Sequence, residues 1–202
     1  KKHFDLDKLP ISFCLGHSLG EYTALVASDV FSISDCTKLL KLRGELMHNA
    51  YPKNESGMLA IIGIECEKLE NIINSEKLNI VVANDNSPQQ VVVSGKKADL
   101  IKSEKILLKY NAKKILTLNV SAAFHSKIMS HAENEMKLYL NKINFKNSKY
   151  FIISNYNAQK TTESSVIFEN LSKQMSNKVK WVESIKCLEK SGETSIIEIG
   201  PG

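Results

Sequence analysis

The stretch that decides the fold is Gly16-His17-Ser18-Leu19-Gly20, which carries the pattern G-x-S-x-G. Residues 11–15 before it predict a short buried strand, and residues 21–27 after it predict a helix with an acid near its positive end. A strand, this pattern and a helix, in that order, are typical of a nucleophile elbow, in which a serine is exposed at the tip of a sharp turn. The two glycines are expected to stand where a Cβ would collide with neighbouring backbone. We expect Ser18 to be a nucleophile; the alternative is a glycine-rich turn without chemistry.

Composition and hydropathy are those of an ordinary globular protein. The 202 residues are 43% hydrophobic and 24% charged, which suits one substantial core or one core with a small companion. No apolar run approaches the roughly 20 residues of a membrane span, and the N-terminus does not resemble a signal peptide. We expect a soluble monomer of a bacterial-type cytoplasm or a plastid-type organelle, with no membrane partner.

Charge and cysteine content argue against two further classes of site. The net charge of +5 is moderate and the lysines are spread along the chain, whereas a nucleic-acid site needs clustered basic residues with aromatic residues between them. The cysteines form no C-x-x-C pair and lie in apolar segments, so we expect reduced thiols, no metal site and no cofactor. They are Cys14, Cys36, Cys66 and Cys187.

The two ends of the chain are unusual for a domain built around an elbow. The sequence opens on Lys1-Lys2-His3 and reaches the elbow strand almost at once, and it stops at Gly200-Pro201-Gly202 directly after a strand-like segment, 195–199. An elbow strand normally lies inside a sheet, with neighbours supplied by earlier chain. We therefore expect a fragment that lacks sequence at both ends.

Residues 52–119 follow the order βαββαβ, which is the signature of a ferredoxin-like unit. A loop that contains proline and glycine, 51–57, precedes the first strand. The predicted elements are strands at 58–64, 78–83, 90–94 and 114–120 and helices at 67–76 and 98–110. Because the ends of such a unit lie close together, it can be inserted into a host domain with little disturbance.

The remaining residues, 1–51 and 120–202, predict an α/β domain whose sheet is covered by helices on both faces. The helix that follows the elbow helix is expected to begin at Ser34 or Asp35 as its N-cap. Further elements are predicted as helices at 126–140, 166–175 and 182–190 and strands at 151–155 and 195–199. Residues 52–119 would interrupt this host domain as an inserted subdomain.

A serine nucleophile needs a base within hydrogen-bond reach, and histidine has a suitable pKa. His125 follows a predicted strand, and the carboxyl ends of strands in an α/β sheet gather around the crevice where Ser18 is expected. We therefore predict that His125 is the base; the alternative is a capping or core histidine. The other histidines lie in the terminal residues, on the turn or on helices: His3, His17, His48 and His131.

Five motifs together resemble one enzyme family. They occur in the order found in malonyl-CoA:acyl carrier protein transacylases, the acyltransferases of fatty acid synthesis, and in their polyketide-synthase relatives. The motifs are Gly16-His17-Ser18-Leu19-Gly20-Glu21-Tyr22, Leu42-Arg43-Gly44, Asn86-Ser87-Pro88, Ala123-Phe124-His125 and Glu198-Ile199-Gly200-Pro201-Gly202. The resemblance covers essentially the whole chain and implies a hydrolase-like, parallel-sheet α/β domain with a ferredoxin-like insert.

The resemblance also implies a catalytic set. Ser18 matches the acylated nucleophile, His125 its general base, and Gln174 the residue that hydrogen-bonds the base in place of a triad aspartate. The backbone N–H of Leu19 matches one oxyanion donor.

Substrate contacts follow from the same resemblance. Arg43 matches the arginine that receives the malonyl carboxylate, and its guanidinium fork suits a planar carboxylate better than an acetyl group. Without the resemblance, Arg43 would be interpreted as a surface arginine on a helix. Phe124 matches the malonyl-selecting version of its motif. Asn84, Asn86 and His17 are expected among the pantetheine and acyl contacts.

The activity implied is transfer of malonyl from malonyl-CoA to the phosphopantetheine thiol of acyl carrier protein, through a malonyl-serine ester. Two alternatives stay open, a serine esterase or thioesterase and a non-catalytic module that binds the carrier protein. The family's N-terminal Gly-Gln-Gly-Ser segment, whose glutamine supplies a second oxyanion donor, is absent from this sequence. We expect its absence to lower catalysis by about 10²–10³-fold. Lys180, just ahead of Trp181, matches no assigned role.

Overall fold

The computed structural model describes residues 9–200, so His3, Pro201 and Gly202 lie outside the described residues. Helices and strands are mixed along the chain, as the sequence predicts for an α/β fold. The helices are α1 (Leu19–Ala27), α2 (Ile33–Asn49), α3 (Cys66–Ser75), α4 (Lys97–Lys109), α5 (Ser130–Leu140), α6 (Ser164–Leu171) and α7 (Trp181–Lys190). The strands are β1 (Phe13–Cys14), β2 (Ser56–Ile62), β3 (Ile80–Ser87), β4 (Gln90–Lys96), β5 (Lys114–Thr117), β6 (Phe151–Ile153) and β7 (Lys160–Thr161).

The first sheet has the order β1-β6-β7. β1 pairs with β6 in parallel, Phe13 opposite Phe151, while the short β7, which the sequence pattern does not predict, runs antiparallel to β6. Helices α1, α2, α5 and α6 pack with β6 around one hydrophobic core, the first core. It contains Tyr22, Leu25, Leu39, Met47, Met136, Leu140, Ile152, Ile167 and Leu171.

The second sheet has the order β3-β4-β2-β5, and all its pairs are antiparallel. Side chains alternate between its two faces, as they must in a pleated strand. Leu59 and Ile61 of β2 point into a second core with α3 and α4, whereas Met58 and Ala60 join a small apolar cluster with Phe124 on the opposite face. The second sheet therefore has its own core and presents its other face to the rest of the molecule.

The N-cap of α2 is Ser32, so the prediction of Ser34 or Asp35 is wrong. The Ser32 backbone is extended and its Oγ accepts a hydrogen bond from the Asp35 N–H at 3.0 Å. Capping chemistry of this kind needs a hydroxyl three residues ahead of an orphan N–H, and Ser32 meets that spacing. The helix predicted at 126–140 is also divided, because a 3₁₀ turn, Lys127–Met129, precedes α5.

The strand predicted at 195–199 is not formed. Ile196, Ile197 and Ile199 are exposed by 69%, 61% and 71%, and no strand within residues 9–200 pairs with this segment. A strand needs a partner for its backbone hydrogen bonds, so an apolar β-branched sequence is not sufficient.

No helix among residues 9–200 is both long and apolar enough to cross a membrane. The four cysteines all lie in this range and are unpaired.

Candidate active site

Ser18 lies on the turn between β1 and α1, with backbone angles φ 51° and ψ −102°. A non-glycine residue with positive φ is strained, and such residues cluster at functional sites. Gly16 makes the turn possible, because a Cβ there would lie 2.1 Å from the Gly20 carbonyl carbon and oxygen. A Cβ on Gly20 itself would meet nothing within 4 Å. The prediction that both glycines avoid a collision is therefore right for Gly16 and wrong for Gly20.

His125 reaches Ser18 from the segment between β5 and the 3₁₀ turn. It is 4% exposed, its φ is 54°, and its Nε2 lies 2.8 Å from Ser18 Oγ. Its Nδ1 lies 3.0 Å from the main-chain carbonyl oxygen of Gln174. A carbonyl can only accept, so Nδ1 carries the proton and Nε2 is left as the acceptor for the Ser18 hydroxyl.

The His125 imidazole is neutral at physiological pH. Burial, together with the nearby Arg43 cation, lowers the pKa of His125 to about 4. Both causes disfavour the imidazolium form. A neutral imidazole with a free Nε2 lone pair is the state that can take a proton from a serine.

Arg43 is on the buried face of α2, four residues from both Leu39 and Met47, which are also buried. It is 6% exposed, and its guanidinium lies over the Tyr22 ring at 5.6 Å from the centroid. Its Nη2 donates to Ser18 Oγ at 2.9 Å and to Gln174 Oε1 at 3.0 Å. Arg43 is therefore not the surface arginine that helix sequence alone suggests, since its cation lies at the serine.

Gln174 follows α6 and contacts the site through three of its atoms. Its main-chain oxygen holds His125, and its Oε1 accepts from Arg43. Its Nε2 donates to the Ser18 carbonyl oxygen at 2.9 Å and to Glu21 Oε2 at 2.6 Å. The structure thus joins Ser18, His125, Arg43 and Gln174 in one hydrogen-bonded group.

Sequence reasoning missed two residues of this group, Asn155 and Glu21. Asn155 follows β6; its Oδ1 accepts from the Ser18 N–H at 2.6 Å and its Nδ2 donates to the Gly16 carbonyl oxygen at 2.8 Å. Its place after a buried strand next to the elbow strand was the available signal. Glu21 is 1% exposed, although sequence predicts only a helix-terminal acid.

A cavity of about 280 Å³ opens beside Ser18, between the β1–α1 turn and the second sheet. Four of the predicted substrate contacts line it, namely Asn84, Asn86, Phe124 and His17, whereas Arg43 is not among its lining residues. Further apolar wall comes from the second sheet and the segment after it, namely Met58, Ala60, Val92 and Leu118. The site is therefore formed by both sheets together.

His17 lies at the wall of this cavity. Its Nε2 lies 2.8 Å from Asn86 Oδ1, and its ring packs edge-on against Trp181 with centroids 5.4 Å apart. Burial lowers the pKa of His17. Leu19 begins α1, where a backbone N–H has no partner within the helix, and its side chain is exposed.

The other histidines within the described residues lie elsewhere. His48 is in the last turn of α2, and the exposed His131 contacts Glu135 at 3.0 Å within α5. Among residues 9–200, no group of three or more His, Cys, Asp or Glu side chains is arranged to hold a metal ion.

Comparison with known proteins finds similar proteins whose names agree with one another. The malonyl CoA-acyl carrier protein transacylase of Staphylococcus aureus (strain MSSA476) is 38% identical over 203 residues, which cover 98% of this chain and 65% of that protein. The crystal structure of an acyl carrier protein S-malonyltransferase from Vibrio cholerae aligns with a TM-score of 0.93 and 32% identity, over 98% of this chain and 65% of that one. A malonyl-transacylase solved in complex with a type II polyketide synthase acyl carrier protein aligns with a TM-score of 0.91 and 31% identity, over 96% and 63%.

The chain thus spans about 65% of the length of the first of these relatives. The family model described as the acyl transferase domain matches residues 12–201, which is nearly the whole sequence. The match includes Ser18, Arg43, His125 and Gln174. This chain belongs to the acyl transferase domain family.

Proposed function

We propose that the protein transfers a malonyl group from malonyl-CoA to the phosphopantetheine thiol of acyl carrier protein, and that Ser18 carries the group as an ester. The observation that carries this proposal is the buried Arg43 cation, which donates to Ser18 Oγ at 2.9 Å. A serine that only hydrolyses neutral esters has no need of a guanidinium at its oxygen. A charged acyl group does, because the fork can bind its free carboxylate in bidentate geometry.

The first half-reaction begins with His125. Its Nε2 takes the proton of the Ser18 hydroxyl as Oγ attacks the thioester carbonyl carbon of malonyl-CoA. The Leu19 N–H stabilises the oxyanion as one donor, as expected for the residue after an elbow nucleophile. When the intermediate collapses, the C–S bond breaks, the CoA sulfur takes the proton from His125, and malonyl remains on Ser18.

The second half-reaction reverses these steps with a different thiol. The phosphopantetheine thiol of the carrier protein gives its proton to His125 and attacks the malonyl-serine ester, which regenerates the Ser18 hydroxyl. The Gln174 carbonyl keeps Nδ1 protonated throughout, so the same nitrogen, Nε2, serves both halves. Asn84, Asn86, Phe124 and His17 would contact the acyl and pantetheine groups in the cavity.

The architecture that supports this function has a host and an insert. We assign residues 1–51 and 120–202 to a hydrolase-like α/β domain with a nucleophile elbow, and residues 52–119 to a ferredoxin-like subdomain. The antiparallel order β3-β4-β2-β5, with α3 and α4 on one face, supports the second assignment. In this arrangement the host supplies the nucleophile, and the insert supplies one wall of the acyl pocket.

Intact-protein mass spectrometry tests the proposal. The chain is exposed briefly to malonyl-CoA or to acetyl-CoA, and Ser18→Ala is the control. We expect a malonyl adduct that requires Ser18, forms faster than the acetyl adduct, and disappears when holo acyl carrier protein is added. Loss of the adduct to water at the same rate with or without the carrier would instead support an esterase. Absence of any adduct, in this chain and in one extended to the length of its relatives, would refute the proposal.

A further inference from the structure

We propose that Glu21 is a positioning residue of this site: its buried carboxylate fixes the side-chain amide of Gln174 so that Oε1 faces Arg43. The inference deepens the proposed malonyl transfer and rests on it. Glu21 itself touches neither the serine hydroxyl nor the acyl cavity. It would act through Gln174 on the orientation of the Arg43 guanidinium.

The hydrogen bonds of the Glu21 carboxyl group all come from other segments. It lies in the first turn of α1, yet its Oε2 accepts from Gln174 Nε2 at 2.6 Å and from the Asn155 N–H at 3.3 Å. The Ser154 hydroxyl also hydrogen-bonds to the carboxyl group. Charge-assisted bonds of this length are among the stronger hydrogen bonds in proteins.

The orientation of the Gln174 side-chain amide decides whether its oxygen or its NH₂ group faces the Arg43 guanidinium. In the observed orientation Nε2 donates to two acceptors, Glu21 Oε2 and the Ser18 carbonyl oxygen, and Oε1 accepts from Arg43 at 3.0 Å. If the amide were turned over, its NH₂ group would face the guanidinium, donor against donor. Above pH 7, where Glu21 is mainly ionised, its carboxylate can only accept, so Glu21 then favours the observed orientation.

A simpler role for Glu21 is a favourable charge at the positive end of a helix, which needs no contact beyond that helix. Its almost complete burial and its partners on two separate segments, 154–155 and Gln174, argue for more than this. Glu183 provides the comparison, because it also lies in the first turn of its helix, α7, and takes no part in the bonds to Gln174.

Replacing Glu21 by methionine, which is of similar size but accepts no such bond, should free the amide and displace the guanidinium. We expect the rate of malonyl-adduct formation to fall by about 10- to 100-fold, the usual effect of a small misplacement in a site. Acetyl-adduct formation should fall less, since acetyl has no carboxylate for Arg43. Glu21→Gln, which keeps an acceptor oxygen, should recover most of the malonyl rate, and Glu183→Met should leave the malonyl-to-acetyl ratio unchanged.

These outcomes separate the inference from the proposed function. If the unmodified chain forms no malonyl adduct, malonyl transfer itself fails. If it forms one and Glu21→Met keeps the ratio of malonyl to acetyl rates, or lowers both equally, Glu21 is structural only and the inference is overturned. Should Glu21→Met not fold, the side-chain NH₂ resonances of Gln174 in the unmodified chain decide. Resonances that shift as Glu21 titrates near pH 7 support the contact, and resonances that stay constant through that titration overturn it.

Discussion

At the scale of single residues, the serine oxygen has two nitrogen neighbours of opposite character. The neutral His125 Nε2 can take its proton, and the Arg43 cation donates to it from the other side. The cation also helps to keep the imidazole neutral, because Arg43 contributes to the low pKa of His125. Under the proposed function, one buried guanidinium would therefore act both in acyl binding and on the protonation state of His125.

Arg43→Met tests the first of these effects. We expect malonyl-adduct formation on Ser18 to fall by more than about 100-fold, because a charge-assisted, bidentate contact to the acyl carboxylate is lost. Acetyl-adduct formation should change far less. Rates measured by mass spectrometry with the two thioesters provide the check, and equal losses would remove Arg43 from carboxylate recognition.

The pKa of His125 tests the second effect. NMR titration of the imidazole should give a value near 4 in the unmodified chain, compared with the ordinary 6.5. In Arg43→Met the value should rise, because one of the causes that lower it is removed. His125→Asn identifies the resonance. A pKa near 6.5 in the unmodified chain would contradict the burial argument.

Glu21 and His125 have opposite effects on the dependence of stability on pH. The pKa of His125 is lowered from 6.5 to about 4, so its contribution to the free energy of unfolding falls as pH drops from about 6.5 to about 4. Burial raises the pKa of Glu21 from 4.5 to about 7, so its contribution is present below pH 4.5 and is lost as pH rises to about 7. Between about pH 4.5 and 6.5 the two contributions to the free energy of unfolding therefore change in opposite directions with pH.

Glu21→Gln removes the pH-dependent contribution of Glu21 and leaves that of His125. Relative to the unmodified chain, its free energy of unfolding should therefore become lower as pH falls from about 7 to about 4.5. Urea denaturation at pH 5 and pH 7 measures the difference. A difference between the two proteins that is the same at both pH values would show that Glu21 titrates normally.

At the scale of elements, the turn between β1 and α1 makes unequal demands on its two glycines. Gly16→Ala should cost about 3 kcal/mol or more and abolish adduct formation on Ser18, because its Cβ would overlap the Gly20 backbone. Gly20→Ala is the matched control. It lies in α1 with open space around it, so stability should hold or rise by up to about 1 kcal/mol.

Thermal unfolding of the two variants, alongside Ser18 labelling, measures this contrast. Equal destabilisation by both substitutions would mean that the turn relaxes around either Cβ. The loss of stability would then result from the conformational freedom of glycine in general and not from the close contact at Gly16.

Sequence pattern predicted most elements here, and the exceptions have physical causes. The βαββαβ order and the helices after it follow from periodicity, with bounds that differ by a few residues. The segment 195–199 has strand composition but no partner within residues 9–200, and pattern cannot supply one. Ser32, Ser34 and Asp35 are all capping residue types within four positions, so sequence pattern alone does not decide which of them caps α2.

The site was predictable only in part for a related reason. Ser18 and His125 sit at strand-to-helix positions that sequence can locate. Gln174 and Asn155 act through contacts to residues 49 to 156 positions away in sequence, and the periodicity of a single element does not predict such contacts. The burial of Arg43 was available from its spacing between Leu39 and Met47, although a charged residue on an apolar stripe is usually interpreted as solvated.

At the scale of the whole molecule, the cavity beside Ser18 is lined from two sheets, each of which packs on its own core. Ser18 and His17 lie on the turn before α1, which packs on the first core, whereas Met58 and Ala60 come from the face of the second sheet opposite the second core. Backbone hydrogen bonds join the two parts directly: Val179 N–H donates to the Ala83 carbonyl at 2.8 Å, and Asp85 N–H to the Val179 carbonyl at 3.0 Å.

Ile61→Ala should therefore affect activity from a distance. Ile61 is fully buried in the second core, and truncation there should lower the free energy of unfolding by about 2–5 kcal/mol, compared with about 0.5–1.5 kcal/mol for Ile61→Val. In increasing urea, adduct formation on Ser18 should be lost together with the second sheet, which circular dichroism follows. Adduct formation that persists after that sheet has unfolded would show that the second sheet is dispensable for acylation.

The edge-on contact between His17 and Trp181 has a practical consequence. Trp181 is the only tryptophan of the chain, so all indole emission reports from the side chain that packs against His17, a residue that lines the cavity. An acyl thioester that enters the cavity and moves His17 away from Asn86 should change the intensity of that emission. The molecule thus contains its own optical reporter, and a stopped-flow fluorimeter can time the arrival and departure of each acyl group without any added label.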